Sequence, residues 1–423
     1  MITKAKRLLF SATIKDSSVV FVGNLISSVL GIIFTVLAAR FLGPSNWGLV
    51  AGVGSLITIL VALGDIGLGS AFFQVASGRW DDGAEREKIK RTYRDLFSLR
   101  LLTGIILFLI LLAFSGFLSR LIFHSDNYLL MVFTALGFIA SLLLDFQIFS
   151  IESKRDWKAA AILISLSNVF RIGFLAALYL AGKLTTESVL FVFSGSLFLV
   201  FLASLFFVGA KPKLSWSVAK TYKEVFKFSS WMGLNKIVST ASPRLDILLI
   251  IQLAGTYEAG IYGAASRLAV GIPMIVGSLA TIIASRFALI SDRNELRKYF
   301  SKSVGLSLVI SAIVLLGVLV APLVISLFGD QYEQSGSVLQ WLLVVQIPFV
   351  LSMPAVNILI YHFKMPKIIT ILSFLQLPTI LLVNLLLIPK ISIFAPIVAL
   401  GIINTTTLVV AYYYALRKMG DKK

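Results

Sequence analysis

Cysteine is absent from this chain, and histidine occurs only as His124 and His362, in different connections. No disulfide, iron-sulfur cluster, thiolate zinc site or cysteine nucleophile can be built from it, and neither a metal centre nor any other resident cofactor is expected. Charge is scarce too, at 14% of the 423 residues, against about 25% in soluble domains. Carboxylates are the scarcer sign: 20 Asp and Glu face 38 Lys and Arg, for a net charge of +18. Hydrophobic residues make up 58% of the chain, where a soluble domain has roughly 45–50%. This composition excludes an ordinary soluble enzyme, and it excludes disorder, which needs low hydrophobicity. With about 20 apolar residues to a membrane span, the chain has room for about a dozen spans and no large domain outside the membrane.

Apolar runs recur at 18–39, 47–77, 96–118, 128–150, 159–181, 187–209, 226–252, 260–285, 303–327, 337–361, 368–388 and 394–416. They predict twelve transmembrane helices. The basic start (Lys4, Lys6, Arg7) precedes a run too long for a signal-peptide core, so it reads as an uncleaved first helix. The cations between the runs are sorted by side. Of the 38, 29 fall in, or at the edge of, alternate connections beginning with the N-terminus, four (Arg40, Arg120, Lys183, Lys390) in the others, and five (Arg100, Arg171, Lys236, Arg244, Arg267) deeper inside the runs. Positive loops stay cytoplasmic, which predicts a multi-pass protein with both termini in the cytoplasm. Basic residues spread over short loops serve topology rather than a clustered nucleic-acid face, so no nucleic acid partner is expected.

The two halves look duplicated. Leu42-Gly-Pro-Ser-Asn-Trp-Gly48-Leu49 aligns with Ala254-Gly-Thr-Tyr-Glu-Ala-Gly260-Ile261 at an offset of 212, half the chain. In the preceding helices Asn24, Ser28, Gly31 and Thr35 recur as Asn235, Ser239, Ser242 and Asp246 at an offset of 211. Both sets follow i, i+4, i+7, i+11, which puts them on one helix face. The expected fold is an all-α integral membrane protein of about twelve helices, in two six-helix bundles (residues 1–210 and 211–423) related by a pseudo-two-fold repeat. Six helices per half insert both halves the same way up, a transporter-like plan.

Ionisable residues inside spans cost about 2.5–3.5 kcal/mol each on insertion scales, so each asks for a partner or for water. Counted along straight helices, Asp65 and Arg171 lie roughly 18 Å from the cytoplasmic edge, and Asp145 and Arg100 roughly 6–9 Å. These depths predict an Asp65–Arg171 pair and an Asp145–Arg100 pair, or Arg100 snorkelling to the interface. On the seventh span Lys236, Thr240 and Arg244 repeat every four residues beside the Asn235 stripe, and Ser242-Pro243 interrupts the backbone ladder. A face this polar predicts a cavity. Five interior cations against Asp65, Asp145 and Asp246 leave an excess of positive charge, so the cargo should be anionic, and phosphate suits Arg and Lys. The candidate binding residues are Lys236, Arg244, Arg267 and Arg171, with Asn235 and Asn24. Asp65 stands among glycines in Leu63-Gly-Asp-Ile-Gly-Leu-Gly-Ser-Ala71. The glycines suit close helix packing, or the carboxylate is a proton or sodium site. Asp65, Asp145 and Asp246 are the ion-coupling candidates, and Asp65 is the best placed by depth.

Ala39-Arg-Phe-Leu-Gly-Pro-Ser-Asn-Trp-Gly48, the Asp65 segment, Pro243-Arg-Leu-Asp-Ile and Gly260-Ile-Tyr-Gly-Ala-Ala-Ser-Arg-Leu268 resemble the Wzx-type flippases. These belong to the multidrug, oligosaccharidyl-lipid and polysaccharide exporter superfamily. The resemblance implies a V-shaped pair of bundles in the bacterial inner membrane. They would turn an undecaprenyl-diphosphate-linked oligosaccharide, of the O-antigen or capsule type, to the outer leaflet by alternating access through a cationic cavity. It implies a monomer working beside polysaccharide polymerase and assembly proteins. Two alternatives stand. A multidrug or cation antiporter of the same superfamily would want an acidic interior. A membrane polysaccharide polymerase or ligase would want a large external loop and a reactive constellation, and no carboxylate pair, nucleophile-base set or metal motif is evident. An ATP-driven pump would need a Gly-x4-Gly-Lys-Ser/Thr loop, which the sequence lacks.

Overall fold

In lipid a backbone must satisfy its own N–H and C=O groups, so long apolar runs become helices. The computed structural model of the chain describes the backbone of residues 2–65, 67–207 and 218–420, and the side chains of 19–65, 67–83, 85–207, 233–234 and 236–420. Among these it contains helices and turns and no strand. The helices are α1 (Ile2–Asp65), α2 (Leu68–Ala76), α3 (Gly83–Ala113), α4 (Ser115–Phe123), α5 (Leu129–Ser153), α6 (Trp157–Leu180), α7 (Thr186–Ser204), α8 (Val218–Ala254), α9 (Thr256–Ala269), α10 (Gly271–Phe287), α11 (Arg293–Ile325), α12 (Glu333–Asn357), α13 (Pro366–Ile391) and α14 (Ala395–Gly420).

Among the described residues ten stretches are long and apolar enough to cross a membrane. Two of them are double: α1 breaks at Gly43, and α13 and α14 are joined by the single 3₁₀ turn Ser392–Phe394. Twelve crossings result, and the chain is a multi-pass α-helical membrane protein. Two bounds differ from the sequence reading. The second run, 47–77, is interrupted after Asp65 by Gly67 in the left-handed region (φ 76°), and the third helix extends back to Gly83.

Packing divides the chain into two units. One comprises Met1–Leu42 and Gly52–Arg244, the other Gly43–Ala51 and Leu245–Lys423. The change-over lies within α8, whereas the sequence division was placed at 210/211, outside the described residues. In the first unit α5 is the hub, packing on α2, α3, α6 and α7; in the second it is α12, packing on α9, α10, α11 and α14. Both are the fourth crossing of their half, as a duplication requires. The first core is aromatic around Phe72, Tyr93, Phe97 and Phe146, and the second gathers Phe287, Phe300, Met353 and Leu359.

The repeated turns explain why 43–51 packs with the second unit. Gly43 (φ 78°, ψ 168°) and Gly255 (φ 100°, ψ 172°) adopt the same conformation, one that side chains disfavour. The helices they start then lie backbone to backbone. A Cβ on Gly48 would fall on the Thr256 carbonyl, and one on Gly260 would fall on the Pro44 carbonyl. Pro44 and Thr256 are separated by the same 212 positions as Gly48 and Gly260. The contact is therefore reciprocal, and the aligned glycines are there because only hydrogen fits between the two backbones.

Candidate functional site

α1 ends on Asp65, and the left-handed Gly67 redirects the chain into α2. The Gly69 amide, at the start of α2, donates to Asp65 Oδ1 at 3.1 Å. A carboxylate there accepts an otherwise orphaned helix N–H and meets the positive end of the helix dipole. The neighbouring glycines let α5 approach: a Cβ at Gly64 would press on Leu142 and Phe138, and one at Gly69 would enter the Phe149 ring. Two cations reach the carboxylate. Arg100 Nη1 of α3 lies 2.8 Å from Oδ1, with both side chains fully enclosed, and Lys236 Nζ of α8 donates to Oδ2 at 2.8 Å. Lys236 also lies 3.6 Å from Asp145 Oδ2 of α5, the two side chains being 25% and 37% exposed. The cluster thus has a dry end, Asp65 with Arg100, and an open end, Lys236 with Asp145. Aromatic faces cover the cations: Phe146 lies 5.5 Å from the Arg100 guanidinium and Phe149 5.2 Å from the Lys236 ammonium. Although the Arg100–Asp65 contact is short, among the described residues none of the three Arg100 side-chain nitrogens makes a directed hydrogen bond. The pair is held by charge and enclosure rather than by a bidentate fork.

This replaces both predicted pairings. Asp65 pairs with Arg100 and Lys236, not Arg171, and Asp145 pairs with Lys236, not Arg100. Arg100 does not snorkel but is fully buried. The depths were counted on an unbroken helix through residue 77 and from residue 96 as an edge. The turn at Gly67 and the extension of α3 to Gly83 invalidate both counts.

Arg171, on α6 of the same unit, sits in a separate polar cluster. Its Nε donates to Ser196 Oγ at 3.1 Å and its Nη1 to Asn168 Oδ1 at 3.4 Å, and its guanidinium lies 3.9 Å from the Phe193 ring centre. Asn168 in turn donates to the Ser27 carbonyl and hydroxyl, each at 3.0 Å. Asn24, one turn before Ser27, is exposed, and the Asn235 side chain lies outside the described residues. Arg244 follows Pro243, where α8 remains one helix; Ser242 Oγ donates to the Val238 carbonyl at 2.7 Å. Arg244 and Arg267 are half-buried.

In the second unit Asp246 is buried and accepts two neutral hydrogen bonds. Asn384 Nδ2 of α13 donates to Oδ1 at 2.8 Å, and the Tyr262 hydroxyl of α9 to Oδ2 at 3.1 Å. Sequence reasoning passed over both donors. Tyr262 lies within a motif singled out for its glycines, and Asn384 is a lone amide in the apolar run Leu381–Leu387 with no periodic companion.

The sequence pattern of the family described as polysaccharide biosynthesis protein matches residues 36–337. A Shigella flexneri protein described as a candidate O-antigen transporter is 24% identical over 342 residues, 78% of this chain and 80% of that protein. Among solved structures, the lipid II flippase MurJ in an inward closed conformation superposes with a TM-score of 0.76 at 14% identity, over 93% of this chain and 86% of MurJ. An inward-facing multidrug resistance MATE family transporter of the MOP superfamily gives 0.68 at 13% identity, over 93% and 94% of the two chains. A MOP superfamily transporter from Pyrococcus furiosus gives 0.64 at 14% identity, over 96% and 95%. These relatives are transporters and flippases rather than enzymes. The fold is that of the MOP superfamily, and the chain belongs to the polysaccharide biosynthesis protein family.

Proposed function

We propose that the protein is a flippase for a polysaccharide precursor. Its cargo is an oligosaccharide on an undecaprenyl-diphosphate-type lipid carrier, moved from the cytoplasmic to the outer leaflet of a bacterial inner membrane by alternating access through a cationic cavity. The family match over 36–337 carries this reading. The interior charge adds the sign of the cargo. Over the whole interior, Arg100, Arg171, Lys236, Arg244 and Arg267 stand against Asp65, Asp145 and Asp246, five cations to three carboxylates. That balance suits a diphosphate and counts against a cationic drug. Lys236, a candidate cargo ligand, bridges Asp65 and Asp145 of the ion cluster. Ion coupling is assigned to Asp246, whose carboxylate accepts from Asn384 and Tyr262.

A hydrogen bond to a charged group is worth about 1.5–3 kcal/mol, so Arg244→Ala should lower lipid-linked oligosaccharide flipping in vesicles roughly 10- to 150-fold at unchanged folded yield. Lys at this position should restore part of it, because a point charge still attracts phosphate but cannot fork onto it. Unimpaired flipping by a variant neutral at Arg171, Arg244 and Arg267 together would end the anionic-cavity argument. The orientation has its own test, since the cysteine-free chain accepts single reporters. Lys88→Cys should resist a membrane-impermeant thiol reagent on intact cells and Lys183→Cys should react. Equal labelling overturns the assigned sidedness.

A further inference from the structure

Two cationic connections meet in the first unit, and the hollow between them shares no lining residue with the ion cluster. The turn between α2 and α3 and the turn between α5 and α6 enclose a cavity of about 470 Å³ lined by Gly78, Trp80, Asp81, Arg86, Lys154 and Arg155, among others. Its size is within the range of small-molecule sites, about 300–1,000 Å³. Three cations line it against one carboxylate, and among the described residues none of the three has a carboxylate oxygen within 4.0 Å.

The walls are built rather than loose. Trp80 Nε1 donates to Ser153 Oγ at 2.9 Å, and Ser153 Oγ donates to the Ser150 carbonyl at 2.7 Å, so the indole is tied to the end of α5. Lys154 Nζ lies 4.9 Å from the Trp80 ring centre and donates to the Phe207 carbonyl at 3.4 Å. Burial holds the Lys154 ammonium below the ordinary lysine range; Asp156 opposes this and the charge of Arg86 adds to it. The next residue is the informative one. Arg155 closes α5 in the left-handed region (φ 62°), its amide donating to the Glu152 carbonyl at 2.8 Å. Helices ordinarily place glycine at such a position, and a side chain there is disfavoured. An arginine in its place turns its guanidinium to the facing turn, where a Cβ on Gly78 would be 3.6 Å from Nη2. Like charges are thus gathered around a polar hollow, with a backbone penalty accepted at one of them.

We propose that this cavity binds a phosphate group through Arg86, Lys154 and Arg155, with Trp80 as its wall. Two guanidinium forks and an ammonium match a tetrahedral anion with several acceptor oxygens better than a planar carboxylate. The phosphate comes either from an anionic lipid headgroup at the membrane surface or from a soluble phosphate compound. None of its lining residues belongs to the ion cluster or is one of the candidate cargo residues Arg171, Arg244 and Arg267.

The test uses the purified full-length chain and reads Trp80 emission, obtained by subtracting Trp80→Phe. One arm is nanodiscs of phosphatidylcholine with increasing phosphatidylglycerol, and the other is detergent-solubilised protein titrated with inorganic phosphate. A saturable Trp80 response is expected, weakened about tenfold or more by Arg86→Gln, which sits on a different helix from the other two cations. A response confined to the phosphatidylglycerol arm assigns a lipid headgroup, and one in the phosphate arm assigns a soluble phosphate compound. The proposal is overturned by no saturable response of the parent in either arm, or by a response that Arg86→Gln and Lys154→Gln leave at full strength.

Discussion

Arg100→Leu should leave little folded protein, whereas changing both Asp65 and Arg100 to Leu should recover most of it. The pair is fully enclosed at 2.8 Å. Removing one partner of a buried ion pair costs about 3–5 kcal/mol, because the other charge stays behind without compensation. In the ratio of folded to unfolded chain this is about two to four powers of ten. Replacing both partners with apolar side chains of suitable volume removes attraction and desolvation together, and is often neutral or stabilising. Lys236→Gln should cost much less. Its ammonium is partly exposed and holds the rim of the cluster, and Asp65 keeps Arg100 and the Gly69 amide when it goes. Melting temperature and monodisperse yield after detergent extraction check all three. An Arg100→Leu variant that melts like the parent would show that the enclosed pair does not hold the first unit together, and a double variant no better than the single would remove the stranded-charge explanation.

The twelve crossings, the polar seventh span and the duplicated turns were legible because each rests on a local rule. Apolar length sets a span, spacing by helical turns sets a polar face, and glycine at 43 and 255 sets a turn whose form recurs almost unchanged. The pairing of Asp65 was not legible, although all its partners had been picked out as interior charges. Depth counting assumes that each residue adds 1.5 Å along one axis, and a single left-handed glycine at 67 breaks that axis between Asp65 and the edge it was counted from. The same segment shows what its glycines do: Gly67 turns the chain, and Gly64 and Gly69 admit side chains of α5, so that an aspartate can end a helix where two cations reach it. The Asp246 pocket was hidden for another reason. Periodicity finds stripes, and Asn384 has none; only the packing of α13 reveals its partner.

Asp246→Asn should abolish any stimulation of flipping by an imposed proton or sodium gradient while leaving downhill flipping intact. Among the three carboxylates proposed for coupling, Asp65 has its oxygens occupied by Arg100, Lys236 and the Gly69 amide, and Asp145 opens to solvent beside Lys236. Asp246 is enclosed with two neutral donors, Asn384 and Tyr262, and among the described residues no cation lies within 4.0 Å of it. Neutral donors do not cancel a buried charge, so the carboxylate needs a proton or a metal cation when its surroundings close. Asparagine keeps the shape and can still accept from Tyr262, but it cannot carry the charge that makes uptake and release possible. The two ions separate at Asn384, whose Oδ1 is buried without a hydrogen bond among the described residues and stands on the amide that already grips Asp246. A sodium ion prefers oxygen ligands, and a flip of the Asn384 amide would present Oδ1 to an ion at Asp246 in place of Nδ2; a proton on Asp246 has no need of it. Asn384→Leu should therefore weaken sodium stimulation strongly if sodium is the coupled ion, and leave proton stimulation in place if it is the proton. Transport into vesicles with each gradient imposed separately, together with melting temperature to confirm folding, reads both results. Full gradient response in a folded Asp246→Asn variant would exclude this carboxylate from coupling.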